Sequence, residues 1–586
     1  LIDSTASQSL IKPGDPFDVS SLDAERSRIS TLFRNNGYYY YQPSYASYLA
    51  DTLSENGKAN MRLQLADNVP GRAMHKWYLG DITLKMRRQY TDLLSNVFKY
   101  RFFSMYYDGK RPPMRARVLM KNIKMRHGQQ FNYESYVQSL NKLTEMGVFR
   151  MVDVKFTPRD TTERCDTLDL MIDCIFDKPY DFYVETNMTG KTTGRVGPGL
   201  VVGVTKHNAF RGGEKLDINL KGSYEWQTGH RADGSSSKFN SYEYGADVSV
   251  EFPRVLAPFW QHRRWHVTPT TLLKASSNVL NRSSYFKRHV VSGELTYTFQ
   301  PTATRRHQFS PLVLQYEYMK DQSQEFKDIL QANPYLLYTM QDRFVPQMRY
   351  SFTCMSPSSY RNPIYWQTTV SEASNILSLG YMVAGKKWDA KDKKMFKNPF
   401  AQYLKLETDF RKTWQVGDHS QLVAHLNGGV IWAYGNSTYA PYSEQFYVGG
   451  ANSIRAFNVR SIGPGAYFTD KAKISFMDQT GDIKLLANLE YRPRLFGNLY
   501  GAVFLDAGNI WALKDDGVRE NSQFKIKNVL KQTALGTGIG IRYDLDFFVL
   551  RLDWGIGLHV PYKNGLYNMS GFGNSQSIHF AIGYPF

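Results

Sequence analysis

The segment IKLLANLEYRPRLFG, residues 483–497, sends Leu485, Ala487, Leu489, Tyr491 and Leu495 to one side and Asn488, Glu490, Arg492 and Arg494 to the other. A repeat of two is that of an extended strand, because successive side chains leave a pleated backbone on opposite faces. The pattern recurs. KLDINLKGSYEW (215–226) puts Leu216, Ile218, Leu220, Tyr224 and Trp226 on one face. FFVLRLDWGIGL (547–558) sets Phe548, Leu550, Leu552, Trp554, Ile556 and Leu558 against Arg551 and Asp553. SIHFAIGYPF (577–586) alternates through Ile578, Phe580, Ile582, Tyr584 and Phe586. A soluble β-sandwich also alternates, but it rarely files Trp, Leu and Phe along strand after strand with Glu, Arg and Asp confined behind them. A membrane barrel does so, turning apolar residues to lipid and polar ones to its lumen.

Composition agrees with a barrel. The chain holds 40 Tyr, 35 Phe and 10 Trp and is 15% aromatic, yet its mean hydropathy is −0.45. Alternation cancels the average while leaving the aromatics that line membrane interfaces. No apolar run approaches the ~18 residues of a membrane-crossing helix. At 586 residues the chain exceeds an ordinary domain of roughly 100–200 residues, for which a large barrel is the main exception. About sixteen alternating segments fall between 179 and 586. An even number returns the chain to its starting side, and closure leaves no open edge. The expectation is a membrane all-β fold, a transmembrane antiparallel β-barrel of about 16 strands over 179–586.

Before residue 179 the pattern is mixed. DVSSLDAERSRISTLFRNNGYYY (18–40) carries Leu22, Ile29, Leu32 and Phe33 on a helical face, with Ser and Asp at its start and Gly37 as its stop. NYESYVQSLNKLTEMGVFRMVDVKF (132–156) repeats the plan through Tyr136, Leu140, Leu143 and Gly147, then continues into a strand. A further strand, LDLMIDCIF, follows. Two small α+β modules are expected, over 1–75 and 76–178. The chain opens on LIDSTASQ, which reads as a mature or trimmed N-terminus.

The charge is +19, from 72 Lys+Arg and 53 Asp+Glu. It is spread along the chain, and its densest run, GKKWDAKDKKMFKNP (385–399), is punctuated by Gly and Pro as a solvated loop would be. For any polyanion partner there, an anionic lipid surface fits as well as nucleic acid. Cys165, Cys174 and Cys354 do not form a disulfide framework: the first two bracket one strand and stand about 30 Å apart.

Two modules ahead of such a barrel resemble the BamA/TamA superfamily of outer-membrane assembly proteins, whose periplasmic modules are POTRA domains. KPGDPFDVSSLDAERSRISTLFRNNGYYY (12–40) and FNYESYVQSLNKLTEMGVFRMVDVKF (131–156) resemble POTRA openings, the first lacking its initial strand. GPGLVVGVTKHNAFRGGEKLDINLKGS (197–223) is similar to the early barrel hairpin, and the final FAIGYPF to the C-terminal strand signal. GGANSIRAF (449–457) resembles the loop-six signature (V/I)RG(F/Y), departing at Ala456 where the family has Gly. The two-module body and FRGGEKLDI are most similar to TamA-like (TamL) proteins of Bacteroidota.

That resemblance gives a meaning to the glycine-rich stretch YVGGANSIRAFNVRSIGPGAY (447–467). In the family the loop-six arginine reaches into the lumen and meets acids on the strands that follow. The matching positions are Arg455 with its neighbour Phe457, Glu490 in LANLEYR and Asp506 in VFLDAGN. Strand parity supports the pairing independently, since Glu490 and Asp506 both alternate onto the polar face. A guanidinium in a narrow lumen needs bidentate acceptors. The resemblance further implies a seam between the first strand, near YDFYVETNM (180–188), and the last, with Phe580, Ile582, Tyr584 and Phe586 as its signal.

Catalytic motifs are lacking. TGKTT (189–193) has Glu185 where a P-loop needs its first Gly. GTGIG (536–540) suits a crowded wall, and HRRWH offers His262 and His266 only in a turn, so no metal or cofactor is expected. The reading is a non-enzymatic factor that inserts or translocates outer-membrane or surface proteins, its modules in the periplasm and its clients released through the seam. Implied partners are unfolded clients, outer-membrane lipid or lipopolysaccharide, and periplasm-spanning or accessory subunits, but no nucleic acid. Alternatives are a two-partner secretion transporter and, from a different class, a passive outer-membrane channel.

Overall fold

In the computed structural model, the alternation after residue 179 becomes one antiparallel sheet of sixteen strands, ordered as they occur in the chain. The first eight are β1 (Tyr180–Lys191), β2 (Arg195–Lys206), β3 (Lys215–Gln227), β4 (Ser241–Phe252), β5 (Val267–Arg282), β6 (Phe286–Thr302), β7 (Arg305–Lys320) and β8 (Arg343–Met355). The rest are β9 (Ile364–Ala373), β10 (Tyr403–Val416), β11 (Ser420–Ala433), β12 (Ile483–Phe496), β13 (Leu499–Trp511), β14 (Ala534–Asp544), β15 (Val549–His559) and β16 (Gln576–Ile582). The structure describes residues 1–162, 164–191, 195–227, 241–257, 267–282, 285–357, 359–417, 419–458, 460–468, 479–545, 549–565, 567–569, 571–572 and 575–586. His262, His266 and Phe548 lie outside the described residues, as do residues 192 and 193 of TGKTT.

The chain divides into two compact units, Leu1–Asp181 with Lys206–Lys215 and Phe182–Thr205 with Leu216–Phe586. In the second unit the alternation separates two environments. Leu489, Val503, Leu505, Ile539 and Leu552 are exposed on the outer face, whereas Glu490, Asp506, Arg542, Arg551 and Asp553 are buried on the inner one. Burial of charges behind a wall of exposed leucines is the reverse of a soluble protein and is the arrangement of a transmembrane barrel. Aromatics mark both margins of the apolar band. Near one margin Tyr316 stacks on Phe344 at 4.3 Å and His289 on Tyr318 at 4.8 Å. Near the other, Phe299 stacks on His307 at 5.0 Å and Phe352 meets Trp366 at 5.7 Å. Among the described residues no helix is long and apolar enough to cross a membrane.

Loop length depends on strand parity. Even strands β6, β10 and β12 end in turns of two or three residues, at 303–304, 417–419 and 497–498. Odd strands β7, β9, β11 and β13 end in long excursions, at 321–342, 374–402, 434–482 and 512–533. All four leave from the end opposite the start of β1, called the distal end here.

The first unit is α+β. Helix α1 (Val19–Asn35) begins at Asp18, whose carboxylate accepts from the Ser20 and Ser21 N–H groups, and Gly37 beyond it has φ 98°. A hairpin of Ala46–Asp51 and Asn60–Leu65 follows. Next comes a five-stranded sheet in the order Asn96–Tyr100, Phe103–Tyr107, Tyr78–Arg87, Thr167–Phe176, Phe149–Pro158. Its central strand runs parallel to both neighbours. Helix α2 (Ala116–Asn122) precedes α3 (Tyr133–Glu145), which starts on an Asn132 cap and stops before Gly147 at φ 62°. Leu143 of α3 meets Trp77, Leu84, Met105, Phe131, Leu170 and Ile172 in one apolar core. Cys165 and Cys174 are buried there as free thiols, and Cys354 is free on β8. Truncating the fully buried Leu143 to Ala is expected to cost about 2–5 kcal/mol. Limited proteolysis of the whole protein should then cut faster between 76 and 178 while the barrel resists as before. An unchanged digestion pattern would show that Leu143 does not hold this core.

Candidate functional site, a loop buried in the barrel

Strand register sets the inner wall of β12–β15. One rung runs Asn488–Asp506–Gly536–Gly557, and the next Glu490–Phe504–Gly538–Gly555. On β12 and β13 these rungs carry acids, an amide and one aromatic ring. On β14 and β15 they carry only hydrogen atoms, so the wall has a trough. Residues of the excursion after β11 enter it, with Val448, Ile454, Arg455, Ala456, Phe457 and Ile462 buried. A Cβ on Gly555 would lie 2.5 Å from the Arg455 carbonyl oxygen, and one on Gly557 would lie 3.2 Å from the Phe457 ring. At Gly536 the obstacle would be the Ala456 methyl itself. Gly536 of GTGIG, with Gly555 and Gly557 of β15, is therefore the seat of the loop tip.

Arg455 is completely buried. Its Nε donates to Asp506 Oδ2 and its Nη2 to Asp506 Oδ1, both at 2.8 Å, while its own backbone N–H reaches Oδ2 at 2.9 Å. Nη1 donates to Glu490. The guanidinium carbon lies 3.5 Å from the centre of the Phe504 ring. Burial alone would push the guanidinium's pKa down. The Asp506 hydrogen bonds and the charges of Asp506 and Glu490 outweigh it and hold the group above the ordinary arginine value. Sequence parity and resemblance had placed Arg455, Phe457, Glu490 and Asp506 together, and the structure brings the four into one site.

Sequence reasoning missed most of the surrounding charge. Glu490 also accepts from Arg492 at 2.7 Å and from Arg542 at 3.3 Å. Arg542 pairs with Asp553 at 2.6 Å, and Arg551 donates to the Ala451 carbonyl and the Asn452 side chain in the same loop. Asn488 bridges Asp506 and the Ser453 carbonyl, each at 2.8 Å. Four buried arginines thus face three buried carboxylates. The signal was present as inward parity on adjacent strands, but register across strands is not written in any one of them. Without Arg455, Glu490 keeps Arg492 and Arg542, so the unmatched charge falls on Asp506.

The chain end also departs from expectation. The period of two in the sequence runs through Phe586, but β16 stops at Ile582, opposite Leu550. Gly583 has φ 86°, and Pro585 has no N–H for a ladder. Phe580 faces outward and is exposed. Tyr584 and Phe586 leave the strand: the Arg492 guanidinium sits 4.3 Å from the Tyr584 ring, and Phe586 stacks on His425 at 5.0 Å. His579 Nε2 lies 2.6 Å from the Arg455 carbonyl oxygen. Arg494, expected on the lumenal face, is exposed near the 497–498 turn, where a register shift interrupts the ladder.

A further buried arginine lies in the distal excursion after β13. Arg519, in 512–533, donates to the Thr480 carbonyl at 2.7 Å and pairs with Asp516 at 2.6 Å. It lies 3.5 Å over the ring of Tyr335 on α5 (Pro334–Thr339), which with α4 (Gln324–Ala332) forms the excursion after β7. The Tyr335 hydroxyl bonds Gln445 and Thr480 at either end of the buried loop. Among the described residues no group of His, Cys, Asp and Glu could hold a metal ion.

Residues 396–586, which hold the whole lock, match the Omp85 superfamily domain. The fold over the full chain is similar to BamA from Haemophilus ducreyi, in a crystal structure lacking POTRA domains 1-3, with TM-score 0.61 and 12% identity across 99% of this chain and 96% of that one. CdiB from Acinetobacter baumannii aligns with 14% identity over 99% of this chain and 85% of that one, at TM-score 0.46.

Replacing Arg455 by Ala strands Asp506 in a dry site, and breaking such a pair costs about 3–5 kcal/mol. The barrel should still form, with 447–467 becoming protease-sensitive; full resistance would show that the loop does not depend on this arginine. Arg455→Lys should restore only part of it, because an ammonium cannot supply the planar fork. Ala456 is not among the described residues with positive φ, so its methyl is a matter of volume rather than backbone. Gly536→Ala should therefore loosen the loop, and Ala456→Gly in the same chain should restore it. A double variant as sensitive as the single one would rule out this contact as the cause.

Proposed function

We propose that this chain is an outer-membrane assembly factor that inserts or translocates outer-membrane or surface proteins without chemical catalysis. The observation that carries the reading is the pair of strands at the ends of the sheet. The strand order starts at β1 and finishes at β16, and β16 has seven residues where the other barrel strands have ten to seventeen. A short terminal strand offers few ladder hydrogen bonds to a neighbour, and its edge can be taken by a strand of another chain. The match of 396–586 to the Omp85 superfamily domain supports the assignment.

On this reading 1–75 and 76–178 are POTRA modules in the periplasm, 179–586 is the barrel, and the protein is a TamA-like protein of the kind found in Bacteroidota. Clients enter by strand addition to the edges of the module sheets and leave through the β1–β16 seam. Lipopolysaccharide and accessory subunits are its further partners. The Arg455 lock keeps the lumen filled while the seam works.

Depleting the protein should lower the amount of folded client barrels in the outer membrane, measured by quantitative proteomics of membrane fractions; normal amounts would overturn the assignment. Conductance across planar bilayers separates it from a passive channel. Small, erratic currents are expected with the loop seated, and a large steady pore would favour the channel.

A further inference from the structure

Helix α6 (Asn375–Val383), in the distal excursion after β9, is amphipathic with its polarity reversed. Ser378 is buried and donates to Gln402 at 2.7 Å, and Asn375 accepts from the Tyr434 hydroxyl at 2.9 Å. Ile376, Leu379, Met382 and Val383 are exposed, Val383 to 83%. A helix on a water-facing surface does the opposite. The strands flanking this excursion are apolar outward too, β9 presenting Val370 and β10 Leu404 and Leu406.

The basic run follows immediately. Lys386, Lys387, Lys391, Lys394 and Lys397 are exposed, against Asp389 and Asp392, of which Asp392 pairs with Lys386. A small hairpin of Lys394–Met395 and Asn398–Pro399 carries Phe396 to 5.7 Å from Phe344, placing it on the outside of the wall at the distal aromatic margin. The base of the run is anchored. Lys393 is buried and donates to the Trp388 carbonyl at 2.6 Å, and Asn436 donates to the Lys393 carbonyl at 3.0 Å. Lys514, from the excursion after β13, is held to the Ala433 carbonyl at 2.9 Å. Burial and the charge of Lys514 hold Lys391 below the ordinary lysine pKa.

We propose that α6 and the 385–399 run form a binding site for a phosphorylated anionic lipid of the outer leaflet. Its acyl chains lie along Ile376, Leu379 and Val383, and its phosphates meet the lysines beyond the helix. Lysine clusters beside a membrane surface attract anionic headgroups, and ammonium groups bind phosphate as point charges. The proposal rests on the barrel's residence in a bilayer.

Purified full-length protein in detergent, titrated with bis-phosphorylated lipid A or with phosphatidylcholine and read by native mass spectrometry, tests the site. Lipid A should bind with a Kd about tenfold below that of phosphatidylcholine, each lysine near such a surface contributing a severalfold factor. The variant K386Q/K387Q/K391Q/K394Q/K397Q, checked for unchanged heat-modifiable mobility, should lose that preference and bind phosphatidylcholine as before. Ile376→Ser with Val383→Ser should weaken both lipids, and excess inorganic phosphate should displace neither. A five-lysine variant that keeps the preference overturns the proposal, and so does displacement by inorganic phosphate. Insertion of the unmodified protein into phosphatidylcholine vesicles is scored separately. Failure there overturns the barrel reading, whereas insertion with no lipid A preference overturns only the site.

Discussion

A guanidinium taken fully out of water must find an acceptor for each face it turns to the protein, and that demand at Arg455 organises the C-terminal half of the barrel. Asp506 meets it as a fork and also receives the arginine's own backbone N–H, so one carboxylate fixes both the side chain and the path of the loop. Glu490 takes the remaining direction and ties Arg455 to Arg492 and Arg542. Desolvating so many charges is costly, and their mutual attraction offsets it only with good geometry. The cluster therefore specifies where the loop sits more than it adds stability, since any other register would leave a buried charge unmatched.

The wall is shaped for the same purpose. Glycines on β14 and β15 remove the side chains that would occupy the lumen opposite Asp506 and Phe504, and the loop tip supplies the missing volume with Arg455, Ala456 and Phe457. The methyl of Ala456 lies against Gly536, which carries no side chain to oppose it.

How much of this was legible in the sequence depended on how local each feature is. Strands β12 and β15 announced themselves through the period of two in 483–496 and 549–558, and parity alone put Glu490 and Asp506 on the inner face. Helices α1 and α3 were readable from caps and glycine stops. What failed was non-local. The alternation of 577–586 looked uninterrupted because Gly583 and Pro585 fit a strand's spacing while breaking its geometry. Parity put Arg551 on the polar face but could not place it or Arg542 in the lock, because the Arg542–Arg551 register and the arrival of the loop depend on pairing between distant segments. The reversed polarity of α6 was hidden in NILSLGYMV, where a buried Ser378 and an exposed Val383 cannot be told apart without the barrel wall.

The chain separations inside the lock imply an order of events. Arg455 is satisfied by Glu490, 35 residues on, and by Asp506, 51 residues on, while its carbonyl meets His579, 124 residues on. Closing each longer loop costs entropy before its contact repays it. Until β12 to β16 are in register, a guanidinium entering the lumen would lose water and gain no partner. Seating of the tip is thus a late step, available only to a barrel whose last strands are correctly paired, and it reports completion of the sheet from inside.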